Sequence, residues 1–187
     1  MTVILAVQTS DGNFIMAGDR RRGLGRGQFV DIDSPKVTKR GGFIIGSSGV
    51  TITNYLLREH FPIPSRQEGE SLEHYMFMTF RKSLLKFLRE ENFLEEGNLG
   101  TDKDNQNSES LIIYENKLFN LAIEKDMTHL IQLNGTFGIG SGGVAAASAF
   151  HALEGFNLDV EERIVRSIKA AFNVVQSTGG GIDILYG

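Results

Sequence analysis

The groups that could carry chemistry in this chain are oxygens and amines, because its 187 residues include no cysteine. A disulfide framework, a thiolate metal site and a cysteine nucleophile are therefore excluded. The four histidines show neither metal-ligand spacing nor the partners of a serine-type triad: His60, His74, His129 and His151. We accordingly expect no metal and no cofactor, and expect any covalent catalyst to be a hydroxyl or an amine.

A glycine-rich segment, Gly138-x-Gly140-x-x-Gly143, matches the dinucleotide-binding fingerprint. In such a site the segment follows a strand, and an acidic residue ends a second strand about 20 positions further on. Here the acidic residues at that distance, Asp159 and Glu161, start another helix. The βαβ context is therefore missing, and nucleotide binding is disfavoured. Ser141 within the segment is better interpreted as a hydroxyl near a nucleophile, or as a helix N-cap.

Composition limits the classes of partner. The net charge is −4 and the pI is near 5.6, so the chain has no global field that would attract nucleic acid. The run Arg20-Arg21-Arg22 is interpreted as a solvated turn. The first ten residues lack the basic region of a secretory signal, and no apolar run approaches the ~20 residues of a membrane span. We expect one globular domain over residues 1–187, in the cytoplasm and without membrane contact.

Hydrophobic periodicity and turn residues predict the elements that position these groups. Strands are predicted at 2–7, 14–17, 29–32, 43–45, 111–114, 118–123, 127–133 and 182–186. Helices are predicted at 50–60, 71–90, 144–153 and 160–175, the last with Asp159 as N-cap. Residues 20–27 and the polar segment 95–109 are predicted loops. The order is strands, two helices, strands, two helices, strand, which favours helix layers packed on antiparallel sheet.

Six short segments, spread over nearly the whole chain, carry a family pattern. They are TVILAV at 2–7, AGDRR at 17–21, PKV at 35–37, IGSSG at 45–49, GIGSGG at 138–143 and GGGID at 179–183. In order and approximate spacing they resemble the proteasome β-subunit and HslV family. The resemblance implies an α+β fold, the four-layer αββα N-terminal nucleophile (Ntn) hydrolase sandwich of two antiparallel sheets flanked by helices. The block order of the predicted elements is compatible with that architecture.

The resemblance also implies a role for each matched position. Thr2 lies where the family has its threonine nucleophile, Asp19 and Lys36 where it has a charged pair, and Ser141 where it has an assisting serine. Gly46, interpreted as preceding a helix start, lies where a backbone N–H stabilises the oxyanion. Such subunits form stacked rings around an inner chamber in which peptides or unfolded proteins are cut, and an ATPase ring feeds them.

The chemistry of this assignment depends on the N-terminus. A threonine hydroxyl is a poor nucleophile and needs a nearby base. An N-terminal threonine carries its own base, because an α-amino group has a pKa near ~7.7–8.0. Met1 must therefore be removed, since with Met1 attached the Thr2 nitrogen is an amide. Lys36 would favour the neutral amine and stabilise developing negative charge, and Asp19 would orient Lys36.

Two positions depart from the family pattern. Counting back from the last glycine run, the family's supporting aspartate falls on Val175 and its supporting serine on Thr178. A valine cannot accept a hydrogen bond from the amine or from Ser141. The valine indicates either that the chain is closer to the HslV-like branch or that its site is degenerate. At the serine position Thr178 keeps a hydroxyl, so that part of the support is retained. The short hairpin between Lys36 and Gly46 and the end of the chain after its last predicted strand leave ring size open.

Three functions remain open at this point. The leading hypothesis is a self-compartmentalised threonine peptidase. The first alternative is a catalytically silent Ntn-fold ring or scaffold subunit, which Val175 favours. The second is an Ntn amidase or transpeptidase acting on small amides.

Overall fold

Two antiparallel sheets lie face to face in the computed structural model, which describes residues 2–91, 108–124 and 127–187. The strands of the first half are β1 Ile4–Gln8, β2 Phe14–Asp19, β3 Arg21–Gly25, β4 Gln28–Asp31, β5 Val37–Arg40 and β6 Phe43–Gly49. Those of the second half are β7 Ser108–Tyr114, β8 Lys117–Glu124, β9 Met127–Leu133, β10 Phe137–Ile139 and β11 Ile182–Tyr186.

The helices cover the outer faces of the sheets. They are α1 Thr51–Tyr55, α2 Leu72–His74, α3 Arg81–Glu90, α4 Gly143–Ala152 and α5 Val160–Val174. A π-helical turn, Leu56–His60, prolongs α1, and a second, Tyr75–Phe80, joins α2 to α3. The predicted N-cap of α5 is confirmed, because the Asp159 carboxylate accepts a hydrogen bond of 2.7 Å from the Glu162 N–H. In the described residues no helix has both the length and the apolar character that a membrane crossing requires.

Strand pairing assembles the two sheets from distant parts of the chain. One sheet has the order β10-β1-β2-β11 and the other the order β5-β6-β7-β8-β9. Strands β3 and β4 form a separate hairpin beside them. The first sheet places β1, the start of the described chain, between β10 and β2. The N-terminal segment is therefore held in the centre of a sheet.

Three apolar clusters separate four layers. The cluster between the sheets includes Ile4, Met16, Val37 and Leu111. A second cluster packs the outer face of the first sheet on α4 and α5, and the third packs the five-stranded sheet on the helices between residues 51 and 90. Since both sheets are covered on both faces, β1 and β2 are almost wholly apolar and buried. The predicted αββα sandwich is confirmed.

Besides β5, which forms the first arm of the hairpin expected between Lys36 and Gly46, two strands were missed from the sequence. Residues 20–27 are not a loop throughout, because Arg21–Gly25 forms β3 and pairs with β4 in the register Arg21↔Asp31. The Arg21 guanidinium also binds the Asp31 carboxylate at 2.8 Å. The second, β10, is only three residues long and overlaps the start of the glycine-rich segment 138–143. The predicted loop 95–109 lies largely outside the described residues, and its last two residues belong to β7.

Candidate active site

Thr2 lies two residues before the first residue of β1 and is 5% exposed. Its N–H donates to the Ser141 hydroxyl at 3.2 Å, and that hydroxyl donates back to the Thr2 carbonyl at 3.4 Å. The Gly142 N–H also donates to the Thr2 carbonyl, at 3.1 Å. These contacts follow from the pairing of Ile4 with Ile139, which brings the loop after β10 beside residue 2. The structure thus places Ser141 next to Thr2, 139 positions away in sequence.

Asp19 ends β2 and is fully buried. One carboxylate oxygen accepts hydrogen bonds from the Val3 N–H at 2.8 Å and from the Lys36 ammonium at 2.7 Å. The other oxygen accepts from the Arg21 N–H at 3.3 Å and the Gly179 N–H at 3.2 Å. Three backbone donors and one cation therefore hold this carboxylate in a single orientation beside the start of the chain.

Lys36 immediately precedes β5 and is 4% exposed. Its ammonium donates to Asp19 and to the Arg21 carbonyl. Burial lowers the pKa of Lys36 from its ordinary value of 10.5, and the charges of Arg22 and Arg58 lower this pKa further, whereas Asp19 opposes the shift. Lys36 is therefore a buried cation whose proton is easier to remove than that of a lysine in water.

Gly46 does not precede a helix, so that prediction was wrong. It lies inside β6, paired with Val37, and α1 begins only at Thr51. A Cβ at Gly46 would stand 2.6 Å from the Ile4 Cγ2 atom and 2.7 Å from the Met16 sulfur. The glycine is thus required for close packing of the two sheets.

A cleft of about 60 Å³ opens beside Thr2. Lys36, Ser47, Gly49 and Thr51 contribute to its wall. Gly49 ends β6 just before α1 and has φ of 103°, in the region that favours glycine. Gly49 was not predicted from the sequence, although it is the second glycine of the same IGSSG segment and the one nearer the helix.

The two positions that depart from the family pattern lie at the end of α5. Val175 is the C-cap residue of the helix. The Thr178 hydroxyl donates to the Val175 carbonyl at 2.8 Å and to the Ala171 carbonyl at 3.4 Å. The same two carbonyls also accept backbone hydrogen bonds of 2.9 Å, that of Ala171 from the Val175 N–H and that of Val175 from the Thr178 N–H. The hydroxyl of Thr178 therefore terminates α5, and its described hydrogen bonds do not reach Ser141.

Comparison with known proteins gives structural matches only. No family model matches the sequence, and no curated protein matches it. A structure of BPH from Thiobacillus denitrificans in complex with Epoxomicin is 18% identical, with a TM-score of 0.76 over 99% of this chain and 97% of that chain. HslV from Trypanosoma brucei is 21% identical, with a TM-score of 0.65 over 98% of both chains.

A third similar structure is the helical assembly of the Anbu complex from Pseudomonas aeruginosa. It is 14% identical, and its TM-score is 0.66 over 99% of this chain and 80% of that chain. At these identities the matches establish how the chain folds.

Proposed function

The chain adopts the Ntn-hydrolase fold of HslV and proteasome-like proteins, and from this premise we propose that it is a threonine-type endopeptidase whose nucleophile is the Thr2 hydroxyl. One observation carries the proposal: Thr2 and Lys36 line the same cleft, Ser141 contacts Thr2 and Asp19 contacts Lys36, although the four residues come from four separate segments. The proposal requires removal of Met1, which converts the Thr2 nitrogen from an amide into an amine.

In the proposed reaction the freed amine is the general base. It takes the proton of the Thr2 hydroxyl, and the hydroxyl oxygen attacks the carbonyl carbon of the peptide bond. The amine then passes that proton to the leaving nitrogen as the peptide bond breaks, which leaves an ester on Thr2. The amine then takes a proton from a water molecule, whose oxygen attacks this ester. It returns the proton to the Thr2 oxygen as the carboxylate product leaves. Ser141, 3.2 Å from the Thr2 nitrogen, orients the amine and relays the proton.

Two groups assist by charge. Lys36 favours the neutral form of the amine and stabilises negative charge that develops on the attacking oxygen, while Asp19 keeps Lys36 in place. We assign the oxyanion to the backbone N–H of Gly49, because Gly49 lies on the wall of the cleft and Gly46 is packed between the sheets.

We propose further that the chain self-associates into stacked rings that enclose its sites, and that an ATPase ring in the cytoplasm supplies unfolded protein. Support for self-association is that the similar Anbu complex is described as a helical assembly. Native mass spectrometry tests it, since a closed oligomer is expected and a monomer that turns over small amides would favour an amidase or transpeptidase.

A catalytically silent subunit is the second candidate. Val175 supplies no hydrogen-bond acceptor side chain, and Thr178 uses its hydroxyl on α5. If support from this segment is required for activity, the site is inert and the chain serves as a scaffold.

Intact mass and epoxyketone labelling separate the two candidates. An epoxyketone presents two electrophilic carbons, so it needs a hydroxyl and an adjacent free amine. We expect the purified chain to lack Met1 and to gain one epoxomicin adduct per chain, and the Thr2→Ala variant to gain none. Chains that all retain Met1 and remain unlabelled would support the silent subunit.

The pH dependence of kcat/KM is expected to be bell-shaped. The acidic limb reports the Thr2 amine, whose ordinary pKa of ~7.7–8.0 is lowered by the Lys36 cation, so activity rises as this amine loses its proton. The basic limb reports loss of the Lys36 proton. Because burial lowers the pKa of Lys36, we expect the midpoint of the basic limb to lie below 10.5, the ordinary pKa of a lysine.

The Lys36→Arg variant is the control for that profile. A guanidinium keeps its proton throughout this pH range, so the basic limb is expected to disappear in the variant whatever its absolute rate. A basic limb that remains unchanged in Lys36→Arg would exclude Lys36 as its source.

A further inference from the structure

The cleft beside Thr2 has a cationic wall. Arg22, Lys36 and Arg58 all line it, together with the neutral polar side chains of Thr51 and Asn54. Among the described residues that line the cleft there is no carboxylate. The positive charge of this wall therefore favours the binding of a negatively charged group.

Arg58 is the most unusual of the three cations. It lies in the π-helical turn after α1 and is only 3% exposed. Its Nε donates to the Asn54 carbonyl at 3.2 Å, and its Nη1 donates to the Pro35 carbonyl. Carbonyls satisfy guanidinium donors and do not neutralise the charge. Within the described ranges Arg58 forms no ion pair with a carboxylate.

The charges at the wall act on one another. Burial, and then the charge of Arg22, lower the pKa of Arg58, whereas the charge of Glu59 opposes this shift. Both arginines lower the pKa of Lys36. A buried cation without a matching anion is costly. A bound anion would offset that cost, and an arginine fork matches the two oxygens of a carboxylate.

Arg22 differs from its two neighbours in the run that the sequence analysis interpreted as a solvated turn. Arg20 binds Asp183 at 2.5 Å and Arg21 binds Asp31 at 2.8 Å. Neither Arg20 nor Arg21 lines the cleft. Arg22 instead lines the cleft and has no carboxylate partner within the part of the chain that the structure describes.

We infer, on the premise of the peptidase proposed above, that this cleft binds the side-chain carboxylate of the residue on the acyl side of the cleaved bond. The enzyme then cuts after glutamate or aspartate, and Arg58 and Arg22 determine this specificity. Thr2 fixes the geometry, because the carbonyl that its hydroxyl attacks belongs to the residue whose side chain enters the adjoining cleft.

Matched peptides test the inference on the full chain after loss of Met1 has been verified by mass. Four fluorogenic peptides differ only in the acyl-side residue, which is glutamate, glutamine, leucine or lysine. We expect kcat/KM for glutamate to exceed that for glutamine by about 30-fold or more, since a desolvated charge pair is of that order. The lysine peptide is expected to be the poorest of the four.

Substitutions then assign the preference to the two arginines. The glutamate-to-glutamine ratio is expected to fall to within about 3-fold in Arg58→Gln, and to drop by about 5- to 10-fold in Arg22→Gln, whose side chain is partly exposed and easier to replace without unfolding. The control is Arg166→Gln, an exposed arginine on α5 paired with Glu162, which is expected to leave the ratio unchanged.

The outcomes distinguish this inference from its premise. Normal epoxomicin labelling with a glutamate-to-glutamine ratio near one, or with leucine or lysine preferred, would overturn the acidic specificity and leave the peptidase standing. A ratio that survives both arginine substitutions would show that other groups bind the carboxylate. Absence of labelling together with absence of turnover of all four peptides would overturn the peptidase, and the inference with it.

Discussion

Replacement of Thr2 by alanine is expected to lower kcat/KM for peptide substrates by on the order of 10⁴-fold or more, because the attacking oxygen is removed. Stability should change little. The described hydrogen bonds of Thr2 to Ser141 and Gly142 use its backbone N–H and carbonyl, which alanine retains. We expect the free energy of unfolding of the variant to stay within about 1 kcal/mol of the wild type.

Thr2→Ser is the matched control, because serine keeps both the hydroxyl and the adjacent amine. It should retain measurable turnover and epoxyketone labelling. Peptide hydrolysis and urea denaturation on the three proteins give the comparison. Undiminished activity in Thr2→Ala would refute the assignment of Thr2 as nucleophile. If the variant were largely unfolded under the assay conditions, the loss of activity would instead show that Thr2 has a structural role.

The Lys36→Met variant is expected to lose both activity and stability. Activity should fall by about 10²- to 10³-fold, the usual effect of removing one preorganised group that stabilises the transition state. Stability should fall by about 3–5 kcal/mol, because Asp19 stays fully buried and loses its only side-chain cation at 2.7 Å among the described contacts.

A double-mutant cycle shows whether the two residues act as a pair. In Asp19→Asn combined with Lys36→Met no buried charge is left alone, so we expect the double variant to be more stable than the sum of the two single effects predicts, by about 1–3 kcal/mol. Its activity should remain lost. Additive losses of stability in urea denaturation would mean that Asp19 and Lys36 are not coupled, against the geometry of the ion pair.

Local patterns were sufficient for most elements. The apolar residues of the long helical segment before residue 91 recur at helical spacing because one face packs on the five-stranded sheet. Asp159 was identifiable as an N-cap because its short carboxylate reaches the Glu162 N–H. Strand β3 was missed because its arginines and glycines are typical of a loop. It is a strand because it pairs with β4, and that pairing cannot be read from either segment alone.

The proposed oxyanion donor shows the limit of motif matching. Gly46 and Gly49 stand in the same short segment, and the family pattern pointed to the first. One side of Gly46 meets Ile4 and Met16 from the opposite sheet, and Gly49 reaches the cleft. Which glycine faces which surface depends on where β6 ends and α1 begins, and sequence spacing alone left that open.

The cationic wall of the cleft shows the same limit. Three consecutive arginines look alike in the sequence, and only the positions of Asp183 and Asp31 separate the two paired side chains from Arg22. Arg58 lies 36 positions further along the chain and carries no motif, so its place beside Arg22 was not predictable from either segment.

By itself the sequence determined the types of group available for chemistry, the order of strands and helices, and the resemblance that pointed to Thr2, Asp19, Lys36 and Ser141. These follow from composition and from short-range spacing, which each segment carries alone. Tertiary structure decided which of these groups touch, which glycine lines the cleft, and which cations lack a carboxylate partner among the described residues. Those properties depend on pairing between segments as far apart as Thr2 and Ser141, since strand register and packing of the two sheets set the distances between them.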